Sequence, residues 1–377
     1  MIHRPPLRRL IRPRGWVRPG FASWAHVACT CCEYEYLFVA CSAGTSGLIY
    51  KLRASDGSII WTYDPGGRPA ATDVAGSPGG RMSEDDSFLY VPVIRNAGWT
   101  GSGGANASVI ILNKSDGSVA LAVDTGADNY AVAVRSDGYF VVVGKTLPKL
   151  YNSAGTLIWT AGAGMVNLAR DLVFDHNGDV MISRGSAASG DPNLYKLSGA
   201  DGTVSASIHL NTGETCDVGQ IDTDQAGTVY AGTADANSKN LFAVGNTLAA
   251  VTWSQSLSVL GAVNSVRSYN TVGLECMAGS FIQNNGQRVS RNDGTRLYNF
   301  GGLGVVQAVS MSRETNITYA GFSPAGTSWE GSGGVKANLL RLNEATGDYV
   351  ADWGVRLQNM GANESVNAIS ARKQWNT

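Results

Sequence analysis

The stretch AVAVRSDGYFVVVG, residues 131–144, decides how the chain is read. Apolar residues alternate on both sides of Ser136-Asp137-Gly138, and period-two alternation marks strands that bury one face. Gly138 supplies the positive φ of a tight turn, so the stretch folds back as an antiparallel hairpin. Shortly after it, KLYNSAGTLIWTAG at 149–162 repeats the pattern around Ala154-Gly155. Two successive hairpins form a four-stranded antiparallel unit that cannot bury both faces alone, a problem solved by stacking copies around an axis.

The same pair of hairpins recurs in both directions. Downstream, DLVFDHNGDVMISR (171–184) leads to NLYKLSGADGTVSASIHL, QIDTDQAGTVYAGT (220–233) to NLFAVGNTLAAVTWSQSL, SVRSYNTVGLECMAG (265–279) to QRVSRNDGTRLYNFGG, and AVSMSRETNITYAGF (308–322) to NLLRLNEATGDYVADWG. Upstream, RMSEDDSFLYVPV leads to SVIILNKSDGSVALAVDTG, and VACTCCEYEYLFVACS leads to LIYKLRASDGSIIWTYDPG, which makes seven units. The turn glycines Gly57, Gly117, Gly155, Gly202, Gly245, Gly294 and Gly347 fall 38 to 53 residues apart, with one interval of 60. That period belongs to propeller blades.

The long interval holds GWTGSGGANAS at 98–108, and a similar string, SWEGSGGVKAN, stands at 328–338 before the corresponding strand of the last unit. Both read as loops on one face. After the seventh unit, VNAISARK within ESVNAISARKQWNT matches the opening strands VNSVRS and VQAVSMSR. This spare strand is expected to close the ring by pairing with the first unit, an incomplete eighth blade being the competing geometry. The expected fold is all-β: a β-propeller of about seven four-stranded antiparallel blades with terminal strand closure, formed by residues 25–377 behind an extended arm at 1–24.

Composition agrees with short strands and tight turns, since charged residues are only 16% of the 377 and glycines number 47. The formal net charge of −1 provides no global field for nucleic acid or an anionic membrane. No run approaches the roughly 18 apolar residues of a membrane-spanning helix. Pro13, Arg14 and Arg18 interrupt any apolar core of a secretory signal, so the classical export route is not expected.

The second hairpin of each unit follows the form apolar strand, Asp-Gly-Ser/Thr turn, apolar strand, Trp. In YKLRASDGSIIWTYDPG and LYNSAGTLIWTAG, Trp61 and Trp159 each stand four residues beyond the turn glycine. This repeat resembles that of the pyrroloquinoline-quinone-type quinoprotein propellers, and the resemblance implies that the tryptophan docks neighbouring blades. Leu121, Ala206, Tyr298 and Ala351 hold the equivalent place in other units, with Trp253 and Trp353 nearby. Family members that bind the quinone can carry a disulfide between neighbouring cysteines, which draws attention to Cys31-Cys32. No set of quinone or calcium ligands aligns residue by residue, however, and the chain is far shorter than the eight-bladed enzymes. The resemblance therefore transfers no cofactor, no metal and no catalytic residue, and a quinoprotein-like dehydrogenase stands only as the enzyme alternative.

Other chemical readings are weaker. Cys29, Cys31, Cys32 and Cys41 cluster, but a structural zinc site needs two such half-sites. They read as buried or disulfide-linked cysteines of the first blade. His3, His26, His176 and His209 lie in no nucleophile or metal motif, and His176 reads as a solvent-facing turn residue. Asp222, Asp224, Asp235 and Glu214 read as acids scattered over turns.

The arm MIHRPPLRRLIRPRGWVRPG, residues 1–20, carries six arginines and no acid, so the remainder of the chain is −7. Four prolines keep it extended. Arg8, Arg9, Arg12 and Arg14 with Trp16 combine charge and apolar anchors, a pattern suited to a groove on a partner protein. Together these features predict a non-enzymatic structural or binding module within a large assembly. The particular expectation is a bacteriophage virion, in the tail, baseplate or an external decoration, with loops facing other subunits or a host-surface receptor or glycan. A bacterial outer-membrane assembly scaffold is the second binding alternative, and a periplasmic location would require an unrecognised export signal.

Overall fold

A computed structural model describes residues 36–43, 46–66, 81–162, 165, 168–185, 190–211, 216–233, 239–257, 263–268, 275–280, 286–290, 292–300, 305–312, 317–323, 339–343, 349–355 and 365–371. The chain divides into two units, Met1–Glu35 and Tyr36–Thr377. The first lies wholly outside the described residues, and with it the arm and Cys29, Cys31 and Cys32.

Every described element is a strand. Blade 1 holds β1 (Tyr36–Ala43), β2 (Ser46–Arg53) and β3 (Ile59–Tyr63), and blade 2 holds β4 (Ser83–Glu84), β5 (Phe88–Asn96), β6 (Ala107–Asn113) and β7 (Val119–Val123). Blade 3 holds β8 (Asn129–Val134), β9 (Phe140–Gly144), β10 (Lys149–Tyr151) and β11 (Leu157–Thr160); blade 4 holds β12 (Ala169–Phe174), β13 (Val180–Arg184), β14 (Leu194–Leu197) and β15 (Val204–Ile208). Blade 5 runs from β16 (Val218–Thr223) through β17 (Val229–Thr233) and β18 (Leu241–Val244) to β19 (Val251–Gln255). Blade 6 comprises β20 (Val263–Ser268), β21 (Glu275–Ser280), β22 (Gly286–Ser290) and β23 (Arg296–Phe300), and blade 7 comprises β24 (Val305–Ser312), β25 (Ile317–Ser323), β26 (Leu339–Asn343) and β27 (Tyr349–Val355). The last strand, β28 (Ser365–Ala371), pairs antiparallel with β1, so all seven sheets have four strands.

The fold is thus an all-β propeller closed by its C-terminal strand, and the strands among the described residues form seven sheets. The sequence places the first hairpin within residues 27–42. In the structure, blade 1 starts at β1 and takes its innermost strand from the other end of the chain. Innermost strands of successive blades pack side by side, from β4 through β8, β12, β16, β20 and β24 to β28. Ser370 of β28 completes the circle by donating its hydroxyl to Glu84 of β4 at 3.0 Å.

Blades dock through the position that the repeat marks with tryptophan. A bulge before it leaves one outer-strand residue unpaired, Ile60 in β3 and Ile158 in β11, and the register then sets Trp61 against Lys51 and Trp159 against Leu150. Each indole reaches the next blade: Trp61 donates to the Lys114 carbonyl at 3.1 Å, and Trp159 to the Gly199 carbonyl at 3.2 Å. The rings lie flat against the turn glycines, where an added Cβ would stand 2.8 Å from Trp61 at Gly117 and 2.6 Å from Trp159 at Gly202. Both glycines also have positive φ, +76° and +72°. Trp253 makes the same contact with Gly294, because the register pairs it with Ala243 although it stands eight residues beyond Gly245. Leu121 and Val123 replace the indole against Gly155. Blade 4 has Ala206 there, and nothing approaches within 4 Å of a Cβ built on Gly245 of blade 5.

The docking scheme predicts unequal costs for one substitution. Gly117→Ala and Gly202→Ala are each expected to lose about 1–3 kcal/mol through ring overlap and left-handed backbone strain. Gly245→Ala is expected to change stability by less than about 0.5 kcal/mol. Denaturant titration of the three variants checks this ordering, and equal effects would contradict the scheme.

Candidate functional site: the central channel

Strand alternation carries every second side chain of an innermost strand toward the axis. Arg81, Asp171 and Gln220 stand four residues before the turn aspartates Asp85, Asp175 and Asp224, so they share one level. Ser265 holds this place in blade 6, while Asp222 and Arg267 stand two residues further along β16 and β20. The channel therefore concentrates charge on blades 2, 4, 5 and 6.

Arg81 crosses from blade 2 past blade 3. Its Nε and Nη2 meet the two oxygens of Asp171 at 2.9 Å each, a bidentate pair, and Nη2 also donates to the Ile221 carbonyl. Asp222 lies 3.7 Å from Nη1. The carboxylates have further donors. The Ile221 amide bonds Asp171 at 2.9 Å, and the Ser268 amide bonds Asp222 at 2.7 Å, with the Ser268 hydroxyl 3.1 Å away. Gln220 accepts from Ser265 at 2.9 Å and from Arg267 at 3.1 Å. Both aspartates are essentially buried, at 2% and 0% exposure, which makes these contacts costly to break.

Electrostatics distinguish the two arginines. Burial alone would lower the Arg81 pKa, but the Asp171 pair and the Asp222 charge outweigh it and hold the guanidinium above its ordinary value. For Arg267, burial and then the Arg81 charge bring the value down to about 10 against the pull of Asp222 and Asp171. It remains cationic at neutral pH, so the cluster of two cations and two carboxylates is close to neutral.

A second buried group joins blades 1 and 2. Lys114 pairs with Glu84 at 2.6 Å, and its carbonyl accepts both Trp61 and the Lys51 ammonium, the latter at 2.7 Å. Lys51 also sits 3.7 Å from the centre of the Tyr36 ring. Burial first, then the Lys114 charge, lowers the Lys51 pKa against the opposing pull of Glu84.

The residues singled out from sequence fall elsewhere. Arg8, Arg9, Arg12, Arg14 and Trp16 lie outside the described residues, as do Cys29, Cys31 and Cys32, while Cys41 is buried in β1. His176 is exposed in its turn, as expected. Asp222 is a correction: it belongs to β16 and faces Arg81, where the sequence reading assigns it to a turn. Asp224 is a turn residue but buried, bonded by the Tyr230 hydroxyl at 3.0 Å. Asp235 and Glu214 lie outside the described residues. Among the described residues no three or more His, Cys, Asp or Glu side chains are grouped to hold a metal ion, and no helix is long and apolar enough to cross a membrane.

No family model matches the sequence, and no curated protein matches it. Among solved structures the chain is similar to the β-propeller domain of Cps50 (Swd1) from Myceliophteria thermophila, with a TM-score of 0.57 at 11% identity over 76% of this chain and 90% of that one. The computationally designed Ika8 protein gives 0.56 at 10% identity over 89% and 97%. A chain of the Mitotic Checkpoint Complex gives 0.53 at 12% over 68% and 76%. Likeness at these identities establishes the β-propeller fold.

The cross-channel pair carries its own prediction. Arg81→Met leaves Asp171 and Asp222 buried without their guanidinium and is expected to cost about 3–5 kcal/mol. Adding Asp171→Asn is expected to recover part of that loss, because the stranded charge is removed. A double-mutant cycle by chemical denaturation reads this coupling, and simple additivity would contradict it.

Proposed function

We propose that the chain is a non-enzymatic binding module, a structural subunit of a large assembly, and in particular of a tailed-bacteriophage virion, where it serves in the tail, baseplate or an external decoration. The observation that carries this reading is the use made of the channel's charged groups. Arg81, Asp171, Asp222 and Arg267 are engaged with one another and with neighbouring strands, so the charges of the channel bind blades together. The circumference, by contrast, carries apolar surface. Ile59 and Ile60 on β3 are 50% and 42% exposed, and Leu157 and Ile158 on β11 are 48% and 46% exposed. Such pairs on outer edges suit protein contacts.

The virion assignment draws on the arm. Its arginines supply charge-assisted contacts to carboxylates, and Trp16 with the leucines supplies apolar burial, the mixture found at interface hot spots. The chain of similar fold in the Mitotic Checkpoint Complex is a parallel for such a fold working inside a protein assembly. The quinoprotein-type repeat enters this reading as architecture alone.

Two outcomes are expected. Removing residues 1–20 leaves the thermal transition of the propeller in place and abolishes incorporation into the parent particle; normal incorporation of the truncated chain contradicts the anchor. Adding pyrroloquinoline quinone and calcium to the full chain yields no dye-linked oxidation of alcohols or sugars. Reproducible quinone-dependent turnover would overturn the non-enzymatic reading.

A further inference from the structure

In blades 1 to 5 the bulge of the outer strand leaves one residue out of the ladder: Ile60 in β3, Ala120 in β7, Ile158 in β11, Ser205 in β15 and Thr252 in β19. All five are exposed. The bulge sets the exposure and not the chemistry, since alanine, serine and threonine occupy it as well as isoleucine. Blades 1 and 3 nevertheless put isoleucine there and add exposed Ile59 and Leu157 beside it. These four are the exposed large hydrophobics that the described outer strands carry. Isoleucine left in water gives the fold nothing, whereas apolar side chains gathered on a surface mark protein contacts.

The turns beside these strands are acidic. Asp56 and Asp64 bracket β3, and Asp116 and Asp124 bracket β7, all four exposed. Asp56 pairs with Arg53 at 3.5 Å and Asp124 with Arg95 at 2.7 Å. Among the described residues no ion pair engages Asp64 or Asp116. Asp64 accepts the Gly66 amide at 2.8 Å, and Asp116 accepts the Ser118 hydroxyl at 2.7 Å and its amide at 2.9 Å. The Ser118 bonds, hydroxyl first, hold the Asp116 carboxyl below the usual carboxylate range, so it is anionic at neutral pH. From blade 1 through blade 2 to blade 3 the outer rim thus runs apolar, anionic, apolar.

The arm has the same order with the opposite charge. Leu7, Leu10 and Ile11 form one apolar group, Trp16 and Val17 another, and Arg12 and Arg14 stand between them. An extended, proline-rich chain rises about 3.1 Å per residue, so Leu7 to Val17 covers roughly 30 Å. Sheets stack about 10 Å apart, so the two steps from blade 1 to blade 3 take at least about 20 Å and more at the circumference. The two patterns agree in order, in sign and in length.

We propose that the outer rim of blades 1 to 3 receives the arm of a second copy of this chain, with Ile60 and Ile158 as its apolar contacts and Asp116 as the partner of an arm arginine. The proposal rests on the reading of the arm as an intermolecular anchor and names what the anchor holds. Arm and rim are different surfaces, so the contact is heterologous and links copies head to tail, in a ring or a filament.

Sedimentation of the full chain at concentrations up to about 100 μM tests this. The expected result is association beyond the monomer, weakened at least about tenfold by Ile60→Ser with Ile158→Ser on the rim, and likewise by Leu10→Ser with Trp16→Ser on the arm. Thr252→Ala, at the corresponding place of blade 5, should leave association unchanged. Mixing the rim variant with the arm variant is expected to give dimers and nothing larger, because one intact arm then meets one intact rim. If the rim pair loses its thermal transition, Asp116→Asn, which keeps the acceptor oxygen of the turn and removes its charge, takes its place and should weaken both association and its salt dependence. A monomeric full chain, association indifferent to the rim changes, or a mixture that stays monomeric overturns the proposal. Its failure shows in the mass of the chain in solution, whereas failure of the anchor reading shows in normal particle incorporation of the chain lacking residues 1–20.

Discussion

Pairing between β28 and β1 is the constraint on which the rest of the molecule depends. It runs from Leu37 opposite Ala371 to Ser42 opposite Ser365 and joins the two ends of the repeat array in one sheet. A propeller has no core common to all its blades; each blade buries its faces against two neighbours, and a ring open at one point leaves two sheet edges unpaired. The indole-to-glycine docking of blades 1, 3 and 5 works in sequence order, each of these outer strands leaning on the turn of the next blade, and it keeps its spacing only within the closed ring. Arg81 needs the circle as well. Its bidentate bond to Asp171 spans from blade 2 to blade 4 and is possible only at one circumference.

The interior thus divides its work between two kinds of contact. Apolar alternation and docked indoles provide burial at each interface, while buried charge supplies direction: Arg81 across the channel, Lys51 and Lys114 at the junction of blades 1 and 2. Neutral clusters of this type discriminate strongly against the loss of one partner and tolerate paired replacement better, which suits a specificity role in setting blade order. With the channel charges turned inward on one another, the apolar outer edges remain for partners.

Much of the architecture was legible in the sequence because its signals are local. Gly57, Gly117, Gly155, Gly202 and Gly294 mark turns that only a residue tolerating positive φ can close, and the structure places each at positive φ. The matching string VNAI betrayed the closing strand. Trp253 was harder to place, since a longer turn displaces it along the sequence while the register restores it to the docking position. The channel could not be read at all. Arg81 lies 90 positions from Asp171, and nothing in RMSEDD or ARDLVF states that the two face each other across an axis. In sequence Asp222 reads as a turn acid because QIDTDQAG is acidic up to its turn, although alternation along β16 separates an inward Asp222 from the turn residue Asp224. Long-range polar pairs need the ring before they have meaning.

The closing strand offers the most direct measurement of this account. A chain ending at residue 364 lacks β28 and keeps every other strand. Comparing its thermal unfolding and its sedimentation with those of the full chain tests whether closure holds the propeller. The account predicts a lower, broader transition and association through the unpaired edge of β1 and the face of blade 7 that β28 covers. A monomeric chain with an unchanged transition would contradict it.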